Sequence, residues 1–455
     1  MELAKGEIQE IWGHKKLKNL FAPVDIATLV LFRVVFGGIM LWEVTRYFGK
    51  GWISKYWIEP HFNFSYAPFN FAPLPGDGMY IVWGILGVLA LFIMLGFLYR
   101  YSTILFFLLF TYTYLLEQSR YLNHFYLVVL ISFLLIFLPS HKAFSLDVVI
   151  FKKQKSDVVP AWSLWLVRFI IGVPYFFGGI AKINHDWLRG YPLKNWLLGD
   201  LDFPIIGQYF TEHWMVMIMS YSGLLLDLLV VPLLIFKRTR LVGFIVITLF
   251  HLMNSELFTI GIFPWFMMGA TTLFFSPNWP RKLFRWDLKL TDYQVPALQT
   301  QKRVLLGLAI FCSLQILLPF RHLLIPGNVH WTEGGHRYAW HMKLRSKAGS
   351  TVFYIQNKAN GETVEVNTKG YIDSWQEQKM AGKPYMIWEF AQFLKQEHKA
   401  MGLDVAVFVS AYASLNGRQY QELIDPEVDL ASVPRPVWGH ASWIRPLTVP
   451  LSDQR

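Results

Sequence analysis

The stretch Tyr175–Tyr191, YFFGGIAKINHDWLRGY, decides how the rest of the chain is read. An apolar run enters it from Trp162 and closes on Gly178-Gly179-Ile180-Ala181, and the next residue is a lone lysine, Lys182. The polar residues Asn184, His185, Asp186 and Arg189 follow at once, with Trp187 among them. A helix needs roughly 20 apolar residues to cross hydrocarbon, and this run supplies them. Lys182 therefore falls at the edge of the slab. A lysine at such a place commonly snorkels to water and marks the boundary. Held inside instead, it meets a desolvation that disfavours the ammonium and leaves a neutral amine, which is a base. Both readings stand on position alone, and snorkelling is the commoner.

Composition supports the membrane setting. Of 455 residues, 54% are hydrophobic, 17% aromatic and only 16% charged, against a soluble norm of roughly 25% charged. The net charge of +11 points to nucleic acid only when the basic residues form one patch. Here they lie in short loops between apolar runs, so no nucleic-acid partner is expected. The single cysteine, Cys312, excludes an intramolecular disulfide and a cysteine-held cluster. The first residues, MELAKGEIQEIWGHKKLKNL, hold no apolar core of a signal peptide, and the first span is expected to serve as the targeting signal.

Outward from Lys182, about nine spans are expected. They cover Ile26–Tyr47, Met79–Leu98, Ser102–Leu116, Tyr121–Leu138, Trp162–Ala181, Trp214–Phe236, Leu241–Met253, Leu257–Phe275 and Val304–Phe320. The third and seventh are short enough to be halves of bent pairs, and proline breaks are expected at Pro174, Pro232 and Pro264. Basic residues crowd alternate loops, among them Lys15, Lys16, Lys18, Lys142, Lys237 and Arg238, by roughly three to one. That places the N-terminus in the cytoplasm and everything after Phe320 outside it. Arg33 and Arg168 lie within spans and need partners; Asp227 and Glu43 are the acids on offer.

The segment from Arg321 to Arg455 is polar. Strands are expected at Arg337–Leu344, Thr351–Gln356, Glu362–Val366 and Val405–Tyr412, with an amphipathic helix over Tyr385–Met401. The fold class is thus mostly α: a polytopic membrane helix bundle with a C-terminal α+β extracytoplasmic domain. Its parts are a cytoplasmic segment 1–25, a transmembrane domain 26–320 with a pocket, and an outer domain 321–455.

Four polar clusters meet at the outer face under this topology. They are Arg120 to His124, Lys182 with its neighbours, His251 to Glu256 between two apolar runs, and His322 to Arg345. No metal is expected. HExxH and CxxC are absent, and His336 and His341, five apart in an expected strand, should face opposite ways. No dinucleotide or P-loop motif occurs either.

Together these stretches resemble the vitamin K-dependent γ-glutamyl carboxylases, in a bacterial-type form. The pieces are YLNHFYL at 121–127, YFFGGIAKINHDWLRGY at 175–191, FHLMNSELFTIGIF at 250–263, NVHWTEGGHRYAWHM at 328–342, and DPEVDL with SWIRPL at 425–430 and 442–447. The resemblance implies reduced vitamin K (the hydroquinone) as cofactor, O2 and CO2 as co-substrates, and a glutamate-containing peptide or protein as partner, with quinone supplied from the membrane lipid. It implies Lys182 as the base that deprotonates the hydroquinone and His124 as a second catalytic residue. It also implies Asn123, His124, Lys182 and Met342 around the quinone, and His322, Tyr338, Trp340, Arg345 and Arg418 around the glutamate. Arg345 stands where the family has a histidine, and Ala181 where animal members have a lysine. The short stretch between the last two spans, Ser276–Arg303, looks bacterial and implies an inner membrane. Two other classes are kept: a quinol epoxidase without peptide carboxylation, and a non-enzymatic quinone- or lipid-binding membrane protein.

Overall fold

The computed structural model describes residues 19–451 except 67, 153–154, 259, 287–292 and 435–440. Most of the segment expected to be cytoplasmic, residues 1–18, lies outside the described residues. Nine helices follow the nine expected runs: α1 (Ala27–Gly49), α2 (Gly78–Leu95), α3 (Tyr99–Leu115), α4 (Asn123–Phe137), α5 (Ala161–Lys182), α6 (His213–Ile235), α7 (Arg240–Leu257), α8 (Phe263–Thr271) and α9 (Leu298–Leu317). Six of them, α1, α2, α5, α6, α7 and α9 with its 3-10 extension to Leu324, are long and apolar enough to cross a membrane. The protein is thus a multi-pass membrane protein.

Two boundaries differ from expectation. The polar stretch His251–Glu256 does not interrupt α7, which runs on to Leu257. The apolar run after it is the one that breaks. Gly261 takes a left-handed φ of +63°, and Pro264, which has no N–H to give, starts the nine-residue α8. Pro174 lies inside α5 without ending it.

The in-span arginines find backbone carbonyls instead of acids. Arg33 donates to Ser140 O (2.9 Å) and Phe144 O (2.5 Å). Arg168 donates to Leu273 O (2.8 Å) and Phe275 O (3.0 Å). Glu43 pairs with Arg46 on its own helix, and Asp227 pairs with Lys182. Carbonyls at chain turns have no helical partner, so a guanidinium there satisfies both groups without a second buried charge.

α5 is central. It packs on α6 through small residues, and a Cβ on Gly179 would come within 2.7 Å of Leu228 Cδ2 and 3.0 Å of Leu228 N. Close backbone approach of this kind is how membrane helices gain packing energy without a hydrophobic driving force.

The outer region has its own core. A four-stranded antiparallel sheet of β1 (Lys347–Asn357), β2 (Thr363–Glu365), β3 (Val405–Leu415) and β4 (Gln421–Glu422) has the order β2-β1-β3-β4. Helix α10 (Pro384–Ala400) lies on it, burying Met386, Ile387, Phe390 and Leu394 against Phe353, Val407 and Val409. The strand expected at Arg337–Leu344 does not form. Residues 334–343 are turns, with left-handed φ at Tyr338 (62°), Trp340 (60°) and Lys343 (50°). Alternating aromatic and polar residues are a strand signal only when a neighbouring strand is at hand, and this segment is folded against helices.

Two buried carboxylates are among the groups that hold the C-terminal region to the bundle. The buried Glu117 carboxylate, in the loop between α3 and α4, accepts from Gln376 Nε2 (3.1 Å), Asn63 Nδ2 (3.0 Å) and Ser119 N (2.9 Å). Asp186, just past α5, takes both ends of the Arg418 guanidinium at 2.6 Å and Asn416 Nδ2 at 2.7 Å.

Candidate active site

The C-terminal turn of α5 carries Lys182 into a cavity of about 850 Å³. Lys182 is 6% exposed, so it does not snorkel. Its Nζ donates to Asp227 Oδ2 at 2.5 Å and to Gly178 O at 3.4 Å, and it sits 5.2 Å from the Trp187 ring centroid. Trp187 is fastened to α6 in turn, donating Nε1–H to Ser220 O at 3.0 Å while Ser220 Oγ donates to Trp187 O at 2.7 Å. The pair carries no net charge whether the proton rests on Nζ or on Oδ2, which is how two ionisable groups share a low-dielectric site.

Asn123, His124 and Met342 line the same cavity. His124 stacks on Phe263 with centroids 5.8 Å apart. Asn123 is held by a relay from the outer region, in which Tyr338 N donates to Tyr121 Oη (2.7 Å) and Tyr121 Oη donates to Asn123 Oδ1 (2.9 Å). Gly178 packs closely against two of the lining residues. A Cβ there would lie 3.2 Å from Asp227 Oδ2 and 3.4 Å from Met342 Cε.

Tyr175 and His251 also line the cavity and share a hydrogen bond of 2.7 Å between Tyr175 Oη and His251 Nε2. The sequence reading missed this pair, and it missed Asp227 as the partner of Lys182. The signal for both was present: a lone acid and a lone histidine in apolar helices must find polar partners. The basic groups Arg46, Lys50, Arg120, Lys343 and Lys379 also line the cavity, as does the acid Glu43, which pairs with Arg46.

A second cavity of about 450 Å³ backs onto the first. It is lined by Ile180, Ala181 and Asn184 of the α5 end, by His322, and by Ala339, His330 and His341. Consecutive residues face opposite ways here. Ala181 and His341 line the second cavity, while Lys182 and Met342 line the first.

The five residues expected around a glutamate do not converge on one cavity. His322 lines the second, with Nδ1 at 2.8 Å from Pro319 O. Tyr338 packs on Tyr126 and Tyr121, with centroids 4.9 and 5.6 Å apart. Trp340 is 1% exposed and joins the core of the bundle. Arg345 donates to Glu333 Oε2 at 2.6 Å and also contacts His336. Arg418 is spent on Asp186 and lines neither cavity. Burial by itself raises the Asp186 carboxyl, but the Arg418 and Asn416 hydrogen bonds hold it below the usual range.

The expectation that His336 and His341 point apart is overturned. With turns in place of a strand, their rings lie 5.1 Å apart, and His330 lies 5.2 Å from His341. Gly335, at φ +73°, makes this possible, since a Cβ there would be 2.7 Å from His322 Cα. Burial, joined by the Arg345 charge, pushes His330 down to about 4 and His336 well below its ordinary value. Burial, with the neighbouring His330 and His322, pushes His341 down to about 2.

Residues 21–279 match the family model described as the HTTM domain, and residues 300–449 match that described as the vitamin K-dependent gamma-carboxylase, lumenal domain. No solved structure matches the chain.

Proposed function

Because the chain belongs to the vitamin K-dependent γ-carboxylase family, we propose that it converts peptidyl glutamate to γ-carboxyglutamate, coupled to epoxidation of reduced vitamin K, with Lys182 as the base. The observation that carries this reading is the buried Lys182–Asp227 pair in one cavity with Asn123, His124 and Met342.

The cavity fits a quinone. Aromatic and apolar residues such as Trp52, Phe125, Phe250, Phe263, Met267 and Met342 make up much of its wall, and Lys182, Asp227, Asn123 and His124 stand among them. Lys182 and Asp227 would meet one hydroxyl, and Asn123 with His124 the other. Bound there, the hydroquinone supplies, on oxidation by O2 to the epoxide, a base strong enough to remove a glutamate γ-proton, and the resulting carbanion adds CO2.

The chain's own part is proton handling and dryness. Asp227 takes the ammonium proton and frees the Lys182 lone pair, and Lys182 then accepts a hydroxyl proton. The net charge of the amine–carboxyl couple rises by one only while that second proton is held. The buried Tyr175–His251 hydrogen bond offers the next neutral proton acceptor on the same wall. A membrane-embedded cavity keeps water from quenching a strong base. The glutamate side chain enters the second cavity, with His322 as its first polar contact. Tyr338 and Trp340 pack against the bundle core, and Arg345 holds His336, whose ring neighbours the cavity-lining His330 and His341. Arg418 fastens Asp186, and so the loop after Lys182.

The test uses purified protein with reduced vitamin K, O2, a glutamate-rich peptide and labelled bicarbonate. Epoxide and acid-stable label are followed together for the unmodified chain and for Lys182→Ala. Both products are expected from the first and neither from the second. Epoxide alone, across many peptides, would make the chain an epoxidase. No O2-dependent turnover with any quinol would leave a quinone- or lipid-binding membrane protein.

A further inference from the structure

We propose that His330, His336 and His341 form a binding site for one zinc-class divalent metal ion, with an open coordination position facing the second cavity. Each histidine offers a ring nitrogen, and the three nitrogens lie within 4.8 Å of one another. All three residues are buried, at 6%, 5% and 5% exposure. A tetrahedral ion bound at roughly 2.0–2.1 Å spaces its nitrogens by about 3.3 Å, so small side-chain rotations close the site around it.

Two further observations point to a ligand. His330 Nδ1 and His341 Nδ1 are buried with no hydrogen-bond partner among the described residues, and so is Glu333 Oε1 beside them. Leaving a buried polar atom unsatisfied is costly, and three in one place call for a shared occupant. The cluster also has an approach, because His330 and His341 line the 450 Å³ cavity together with His322.

The donor set selects the ion. Three neutral imidazoles with no thiolate suit zinc, copper, cobalt or nickel rather than magnesium or calcium, which prefer oxygen. Three histidines plus one free position is the arrangement of a metal that binds a small oxygen ligand rather than a closed structural site. The opposing group is the Arg345 guanidinium at His336, and Glu333 neutralises it at 2.6 Å. The same carboxylate, through its free oxygen, is placed to orient a ligand imidazole. If the second cavity takes the glutamate side chain, the open position would accept a carboxylate oxygen. That last step rests on the proposed function, and the metal site itself does not.

The test is binding, without turnover. Full-length protein in detergent is stripped with a chelator, loaded with Co2+ and desalted. Metal content is then read by mass spectrometry, and geometry by the visible d–d bands of cobalt. One ion per chain with intense tetrahedral bands is expected, and both should be lost in His330→Leu/His341→Leu. Cu2+ electron paramagnetic resonance of the unmodified chain should show nitrogen hyperfine structure from bound imidazoles, which keeps the proposal testable should that variant not fold. Sub-stoichiometric cobalt, retention of the ion by the folded double variant, or a copper spectrum with oxygen ligands only would overturn it. Metal binding without carboxylation would leave this site standing and remove the proposed activity, and the reverse result would do the opposite.

Discussion

At the residue scale the decisive contact is Lys182 Nζ to Asp227 Oδ2. A lysine at a helix end would ordinarily reach for water, but this one turns inward to an acid on the neighbouring helix. Two consequences separate its chemical role from its structural one. Lys182→Ala removes the base and should lower epoxide formation by about 10²–10⁴-fold, as read by product assay under saturating hydroquinone. Asp227→Asn leaves the ammonium buried with no counter-charge, and breaking a buried pair from one side costs about 3–5 kcal/mol. It should therefore lower the unfolding temperature as well as the rate. The double variant Lys182→Met/Asp227→Leu removes both charges and should regain stability over Asp227→Asn while staying inactive. A double variant that turned over normally would take the pair out of the mechanism.

At the scale of elements, the end of α5 is held from the outer region by Asp186 and Arg418. Arg418→Leu takes the guanidinium from the buried Asp186 and leaves it Asn416 and the exposed His185, and breaking a buried pair from one side costs about 3–5 kcal/mol. The Asp186 carboxyl is held below the usual range in the folded protein. The stability it contributes is therefore complete above its unfolded value of about 3.9, and it is lost as the pH falls through the lower folded value. Thermal unfolding followed from neutral pH to below pH 4 should show this loss in the unmodified chain and a flatter profile in Arg418→Leu. Packing on the other side of α5 is equally strict. Gly179→Ala puts a methyl group against the Leu228 backbone, and overpacking of this kind typically costs about 1–3 kcal/mol; a lowered unfolding temperature measures it.

The same elements explain what could be read in advance. Apolar length gives helices almost directly, because lipid leaves the backbone no other way to satisfy itself, and each of the nine runs contains a helix. α10 and its sheet were legible too, since a small core of their own makes period and burial agree. The 337–344 segment was not, because it has no strand partner and takes its shape from Gly335 and from the bundle face that receives Trp340. Lys182, Asn123, His124 and Met342 were legible as a group through their family resemblance, and they do line one cavity. Asp227 as the partner of Lys182, and the histidine cluster, were not. Which acid meets which base is a fact about helix packing that spacing within one helix does not carry.

At the scale of the whole molecule, charge and apolar length together orient the chain. Basic loops such as Lys237–Arg240 are expected on the cytoplasmic side by the positive-inside bias, and crossings by α7, α8 and α9 would then put the sheet domain on the other side, as the lumenal-domain match also suggests. Cys312 is the lone cysteine of the sequence, so replacing it with serine gives a background for labelling single positions. Ala359→Cys lies in the exposed turn between β1 and β2, and Lys237→Cys in the exposed turn between α6 and α7. In intact expressing cells, a membrane-impermeant maleimide should label the first directly and the second only after permeabilisation. The opposite pattern would reverse the orientation. It would also move the mouth of the second cavity, bordered by His322 and Leu323 just past α9, to the cytoplasmic side, where secreted peptides would have no access to it. Labelling of both positions without permeabilisation would mean an even number of crossings between them, and hence that the short helix α8, which lies between them, does not serve as a full span in the way the charge pattern requires.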